Sequence, residues 1–362
     1  MGKINVCIVT GARPNSVKVA PLLRAFDKAE GAACTLVYAG REDDPLLEPS
    51  LFDDLQMRRP DVFLGVDSPR MNEITAQVMS RLDSYLEERP TDVVIVVDDL
   101  ASTMAAAITA KKRGIRVAHL VAGTRSFDIS MPKEVNRLVI DALSDYLFTA
   151  GVKSNSVATR EQQSESAQTF MVGNILMDTL RYNLPRFTPP ANLHLTPSQY
   201  LVLTLNRRVL LADEEQLRQM LRTLARETAD IPIVAPLRGL ALGVVVRLLT
   251  ELGVPSSKFR VVAPLPYLEF GWLTAHACGI ITDSGNVAEE ATFNGVPCIT
   301  LNDYTEHQET VTVGTNVLVG SDVAKLAAAL QQLQRGEWKK SALPDRWDGR
   351  SAERMVQILL NQ

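Results

Sequence analysis

The sequence predicts an α/β protein of two doubly wound domains, each a parallel sheet with helices on both faces. Three observations predict it. Short apolar runs such as Ile4–Val9 and Val93–Val97 read as strands buried on both sides. They alternate with segments of helical spacing, the pattern of βαβ units. The alternation breaks once, between Tyr182 and Pro197, and then restarts; 362 residues suit two domains of ordinary size.

In the first half, the strand Ile4–Val9 runs into the turn Thr10-Gly11-Ala12-Arg13-Pro14, and Val17–Phe26 has helical spacing. Further strands are expected at Thr35–Ala39, Val93–Val97, Val117–Val121 and Tyr146–Thr149, with helices at Met71–Leu86, Ser102–Arg113 and Glu134–Leu143. The Pro- and Asn-rich stretch from Tyr182 to Pro197 reads as a linker. After it come strands at Leu201–Leu205, Ile231–Val234, Arg260–Ala263, Gly279–Thr282, Cys298–Leu301 and Asn316–Val319. The helices between and after them are Glu214–Glu227, Leu242–Leu252, Leu268–His276, Val287–Phe293 and Val323–Gln334. A last helix, Ala352–Leu360, is expected to pack back on the first domain. The expected domains are therefore 1–182, with 350–362 packed on it, and 183–349.

Composition narrows the function. Apolar residues are 46% and charged residues 22%, the profile of a globular protein with sizeable cores. A net charge of −4 argues against a general nucleic-acid or membrane-surface binder. Four cysteines lack metal-type spacing and four histidines are scattered singly, so neither metal nor cofactor is expected. No apolar run approaches transmembrane length and Met1-Gly-Lys-Ile-Asn leads straight into a strand, so a cytoplasmic location is expected.

Ligands of doubly wound folds bind outside the carboxyl ends of the strands, here a cleft between the two domains. Two turns are expected to open on it. At Asp283-Ser284-Gly285-Asn286 a strand gives way to a helix, whose free N–H groups and dipole suit a phosphate. An ordinary capped turn reads equally well from that segment alone. At the other turn Arg13 supplies a guanidinium, and the pair suits a diphosphate.

The motifs resemble the non-hydrolysing UDP-N-acetylglucosamine 2-epimerases. The resemblance rests on Gly11-Ala-Arg13-Pro14…Lys18-Val-Ala-Pro21, His119-Leu-Val-Ala-Gly123…Arg125, Pro132-Lys-Glu134-Val-Asn136-Arg137, Val172-Gly173-Asn174…Asp178 and Thr282-Asp-Ser284-Gly285-Asn286…Glu289-Glu290. Gly295-Val-Pro297, Gly314-Thr-Asn316 and Asp348-Gly…Ala352-Glu-Arg354 continue it, in order, across nearly the whole chain. The resemblance implies two Rossmann-like domains facing across a cleft, the glycosyltransferase-B architecture, and a UDP-sugar ligand. It places Arg13 and Lys18 near the diphosphate, Ser284 and Gly285 at the phosphate turn, Glu290 on the ribose and Phe270 near uracil. Asn286 stands for a second glycine and is expected to tolerate a left-handed turn. Family members are commonly homodimers, which carries over as an expectation.

The chemistry departs from the pattern. The family reaction removes the sugar C2 proton, expels UDP to leave a glycal, and adds UDP back with C2 inverted. The carboxylate of its His-x-Glu-Ala-Gly motif is Val121 here, the first carboxylate of its Pro-Glu-Glu motif is Lys133, and its second-domain histidine is Asn206. Asp99, Glu134 and Arg137 remain as catalytic candidates. Asp98 and Asp128 are new acidic residues, read either as stand-in bases or as solvated and capping carboxylates. Gly40-Arg41-Glu42-Asp43-Asp44 replaces the segment with which many bacterial members bind a second UDP-sugar, so no such activation is expected. Three readings stay open: a UDP-sugar enzyme with altered chemistry (glycosyl transfer or modified epimerisation), a non-catalytic UDP-sugar binder, and a working 2-epimerase with an unusual residue set.

Overall fold

The computed structural model describes residues 3–45, 47, 49–162, 164–228 and 230–361; the side chains of Arg13, Pro14 and Pro49 lie outside the described part. The chain divides into two compact units, 1–182 with 345–362, and 183–344.

The first unit holds a sheet of seven strands in the order β3-β2-β1-β4-β5-β6-β7. These are β1 (Ile4–Thr10), β2 (Ala32–Tyr38), β3 (Val62–Phe63), β4 (Val93–Val97), β5 (Arg116–Ala122), β6 (Tyr146–Thr149) and β7 (Gln168–Met171), all paired in parallel. Its helices are α1 (Arg13–Asp27), α2 (Pro49–Leu55), α3 (Met71–Glu88), α4 (Ala101–Lys112), α5 (Pro132–Leu143), α6 (Val152–Glu161) and α7 (Ile175–Asn183). Cys7, Val9, Val94 and Val96 share one sheet face, because successive strand residues point to opposite sides. That face packs on Val78, Leu82 and Leu86 of α3 and on the alanine-rich α4. The strand order reverses between β1 and β4, which leaves a crevice at their carboxyl ends.

The second unit repeats the plan with six strands in the order β10-β9-β8-β11-β12-β13. They are β8 (Leu201–Thr204), β9 (Ile233–Pro236), β10 (Phe259–Val262), β11 (Gly279–Thr282), β12 (Cys298–Thr300) and β13 (Asn316–Leu318). The helices are α8 (Arg208–Ala212), α9 (Glu214–Glu227), α10 (Gly239–Glu251), α11 (Tyr267–Ala275), α12 (Gly285–Asn294), α13 (Glu309–Thr312) and α14 (Val323–Gln334). Leu201, Leu203, Ile233 and Ile281 face α9, α10 and α14, while Val202, Val234 and Ile280 face α11 and α12. Here the order reverses between β8 and β11. Leu193 and Leu195, in the stretch read as a linker, pack on this core.

The chain returns to the first unit at Asp345, ahead of α15 (Ser351–Leu360). Trp347 explains the early return: it is fully buried, and its indole N–H donates to the Ala150 carbonyl at 3.0 Å. Asp178 then accepts from the Ser351 and Ala352 N–H groups at 3.1 and 2.8 Å, capping α15. Several elements not expected from the sequence are short or polar, whereas α7, also not expected, is apolar and buried. The edge strand β7 exposes much of its surface, and α6 carries few apolar residues, so neither shows an apolar period.

Candidate functional site

In the first unit the crevice is built on the turns after β1 and β4. Gly11 must be glycine, since a Cβ there would lie 1.9 Å from the Ser102 hydroxyl oxygen. Asn15 folds back over this turn and accepts from the N–H groups of Gly11 and Ala12, both at 3.1 Å. Its amide donates to Asp98 at 2.9 Å, and the Lys18 ammonium meets the other Asp98 oxygen at 2.5 Å. Asp98 sits in the left-handed region at φ 60°, and these two contacts hold it there.

The next residue faces differently. Asp99 pairs with Arg137 at 2.6 Å, and Arg137 also donates to Glu134 at 3.2 Å. The Asn136 amide donates to the Asp99 carbonyl at 2.8 Å. Glu134 is buried and accepts from the Ser126 N–H and hydroxyl, both at 2.9 Å, and from the Phe127 N–H at 3.1 Å. Burial pushes its pKa up, but the Ser126, Phe127 and Arg137 donors outweigh that and hold it below the usual value. Glu134 is thus spent on fixing the loop and Arg137. Asp99 lines a cavity of about 430 Å³ together with Gly11, Ser102, Lys133 and Asn136.

Val121 does not line this cavity. It lies in a register shift of β5 against β6, at φ 74°. A β-branched residue rarely adopts that conformation, and such bulges re-aim side chains beside functional sites. His119, two residues earlier, is buried; its ring bonds Asp141 at 2.5 Å and the Asp98 carbonyl at 3.0 Å. Asp141 also accepts from the Gly123 N–H at 3.0 Å and pairs with Arg125 at 2.7 Å. Asp128 is an exposed loop carboxylate that accepts from the Ser130 hydroxyl at 2.6 Å, which makes it a cap and not a cavity group.

In the second unit Asp283, Ser284 and α12 follow β11. Asp283 is buried and bridges the switch point, with one oxygen accepting from the Asn206 and Arg207 N–H groups at 2.7 and 2.8 Å. Its other carboxylate oxygen has no hydrogen-bond partner among the described residues. Asn206 therefore contributes its backbone here, and its side chain is exposed. Ser284 makes no side-chain cap to α12, and Gly285 is exposed. Asn286 has no positive φ and lies inside the helix. The expected left-handed turn is absent because the helix begins at Gly285, leaving ordinary helical backbone at both positions. Glu290 is only 8% exposed and takes no hydrogen bond from the described residues. Burial, then the Glu289 charge beside it, pushes its carboxyl up to about 8. His307 lies 3.5 Å from Glu289. Phe270 on α11 is partly buried against the core face that includes Val287 and Ala288 of α12.

The sequence model of the UDP-N-acetylglucosamine 2-epimerase family matches residues 24–360. The chain belongs to that family. A UDP-N-acetylglucosamine 2-epimerase of Methanocaldococcus jannaschii is 32% identical over 371 residues, covering 98% of this chain and 99% of the relative. A UDP-2,3-diacetamido-2,3-dideoxy-D-glucuronate 2-epimerase of Pseudomonas aeruginosa is 30% identical over 320 residues, covering 88% of this chain and 89% of the relative. The crystal structure of the M. jannaschii UDP-GlcNAc 2-epimerase, in complex with UDP-GlcNAc and UDP, matches with a TM-score of 0.85 at 31% identity, covering 99% of this chain and 100% of that one. The two parallel-sheet α/β units are thus of the glycosyltransferase-B kind, as the epimerase motifs implied.

Within this epimerase-family chain, the first unit joins Asp99, Arg137 and Glu134 and pairs Lys18 with Asp98. The second unit gathers Ser284, Gly285, Asn286 and Glu290 on one helix start. The Arg13 side chain lies outside the described part. Sequence reading missed Asn15, Asp141 and the bridging role of Asp283. Asn15 stands in the opening motif and Asp141 one turn past Arg137, but nothing in their spacing names a partner. Among the described residues, no group of His, Cys, Asp and Glu could hold a metal ion, and no helix is long and apolar enough to cross a membrane.

Proposed function

We propose that the protein is an enzyme that binds a UDP-linked 2-acylamino sugar and acts at C2 by proton transfer, with an acid–base set reduced from that of its relatives. The observation that carries this is Asp99, a carboxylate on a cavity wall, locked in place through Arg137 and Glu134. The open start of α12 at Ser284, Gly285 and Asn286 suits the diphosphate. Glu290 suits the ribose, because a buried carboxyl without a partner is satisfied by two ligand hydroxyls. Arg13, Lys18 and Phe270 are assigned to diphosphate and base by the motif match.

In this reading Asp99 takes the C2 proton while the C1–O bond to UDP breaks, giving a glycal and free UDP. UDP then adds back to C1 and a proton returns to the opposite face of C2. Arg137 pairs with Asp99 and aims it, and Glu134 positions Arg137. Valine at 121 transfers no proton, so one of the two proton transfers runs without the carboxylate expected there. Val121 and Asn206 are also what favours the second reading, a UDP-sugar binder without turnover.

Incubation with UDP-GlcNAc in deuterated water, followed by NMR at C2, separates the readings. Deuterium at C2 is expected. Asp99→Asn should lower that exchange by about 100-fold or more while leaving UDP affinity unchanged. Binding by calorimetry with no exchange would establish the binder, and UDP release only with an added acceptor would establish glycosyl transfer. Exchange at the wild-type rate in Asp99→Asn would remove Asp99 from the reaction.

A further inference from the structure

We infer that His119 is a positioning residue for Asp99, acting through the backbone carbonyl of Asp98. The inference rests on the proposed function for the chemistry of Asp99, whereas the contacts of His119 stand apart from that reading. His119 is 1% exposed, and both of its ring nitrogens are engaged. Nε2 lies 3.0 Å from the Asp98 carbonyl. A carbonyl oxygen can only accept, so Nε2 carries a proton and donates it. Nδ1 lies 2.5 Å from an Asp141 carboxylate oxygen, a distance at which the two need a proton between them. Asp141 thus fixes both the tilt of the ring and the nitrogen that faces Asp98.

The Asp98 carbonyl matters because of the peptide it belongs to. That carbonyl and the Asp99 N–H share one planar unit, so a bond to the oxygen sets the plane from which the Asp99 side chain leaves. The far end of that side chain is held by Arg137 at 2.6 Å. Asp98 itself lies at φ 60°, a conformation that persists where neighbours fix it. Asn15 and Lys18 hold its carboxylate, and the Asn136 amide holds the Asp99 carbonyl. His119 adds a hold from the neighbouring strand, β5. Its own support spans the bulge at Val121. The second Asp141 oxygen accepts from the Gly123 N–H at 3.0 Å and pairs with Arg125 at 2.7 Å. Arg125 pairs in turn with Glu161 at 3.0 Å. Valine at 121 gives this scaffold no carboxylate to present, so what it positions is the turn at Asp98 and Asp99.

Two variants separate the ring nitrogens, because a glutamine amide nitrogen reaches the place of Nε2 and an asparagine amide nitrogen the place of Nδ1. His119→Gln keeps a donor for the Asp98 carbonyl, and His119→Asn keeps the contact with Asp141 but drops the one with Asp98. With UDP-GlcNAc in deuterated water, His119→Asn should lower kcat for exchange at C2 by about 10- to 100-fold, with KM and UDP affinity unchanged. His119→Gln should retain most of the rate. A merely structural histidine would give no such split between the variants, so equal losses, or a loss confined to KM, would overturn the inference. Nitrogen-15 NMR of the wild-type ring is a check that needs no variant to fold. Nε2 should be protonated, and an unprotonated Nε2 would overturn the inference whatever the turnover. If the wild type exchanges nothing at C2, the proposed function falls and amide exchange decides the role of His119. The Asp98 N–H donates to the Leu120 carbonyl at 3.3 Å. It should exchange about 10-fold faster in His119→Asn than in wild type or His119→Gln. Equal protection in all three would overturn the inference.

Discussion

Glu290 carries a stability cost that follows from its burial. Its folded pKa of about 8 stands above the ordinary 4.5, so the folded protein holds a proton there that the unfolded chain has lost. Stability therefore falls as pH rises from about 4.5 to about 8. At pH 7 the penalty amounts to about 3 kcal/mol. Glu290→Gln should recover much of that, raising the melting temperature at pH 7 but not at pH 4, and should weaken UDP binding at both. Melts at the two pH values with and without UDP check this. A variant less stable than wild type at pH 7 would show that the carboxylate has a partner in solution. The sequence marks Glu290 by its place in a motif, but burial decides its charge, and burial depends on α11 and the strands beneath it.

At the scale of elements, the residue after β4 and the bulge within β5 are two places of backbone strain. Asp98 and Val121 both lie at positive φ. The two positions differ in what stabilises them. Asp98 is tied to Lys18 and Asn15, whereas Thr124 donates its hydroxyl only to the backbone carbonyl of Val121. Val121→Gly should therefore be neutral or stabilising by up to about 1 kcal/mol, although the same change inside a regular strand costs stability. Denaturant melts measure it, and a loss of about 2 kcal/mol or more would mean that side-chain packing outweighs the strain. The apolar run at Val117–Val121 predicts the strand and nothing in it predicts the bulge, because a bulge is a misfit with β6 and not a property of one segment.

For the whole chain, the largest departure from a simple tandem is the return of the C-terminus to the first unit. Trp347 and the Asp178 cap make this attachment. Trp347→Ala should cost about 3–5 kcal/mol and lower the melting transition of the first unit. Circular dichroism melts of the variant test it; a shift of less than about 1 kcal/mol would mean that α15 alone suffices to close the unit.

By itself the sequence determined the elements that are long and periodic. Val93–Val97, Glu214–Glu227 and Val323–Gln334 agree with the expected bounds, because continuous burial or an amphipathic stripe writes its period directly into the residues. It also determined the family, through motifs spread along nearly the whole chain. Only the tertiary structure decided which groups meet. Glu134 and Asp99 look alike as carboxylates in a sequence. Folding fills one with donors from Ser126 and Phe127 and sets the other on a cavity wall. Asp98 and Lys18 lie 80 positions apart and pair only because β1 and β4 are neighbours in the sheet. Charge state, partner and exposure all depend on neighbours distant in sequence, and local spacing carries no record of them.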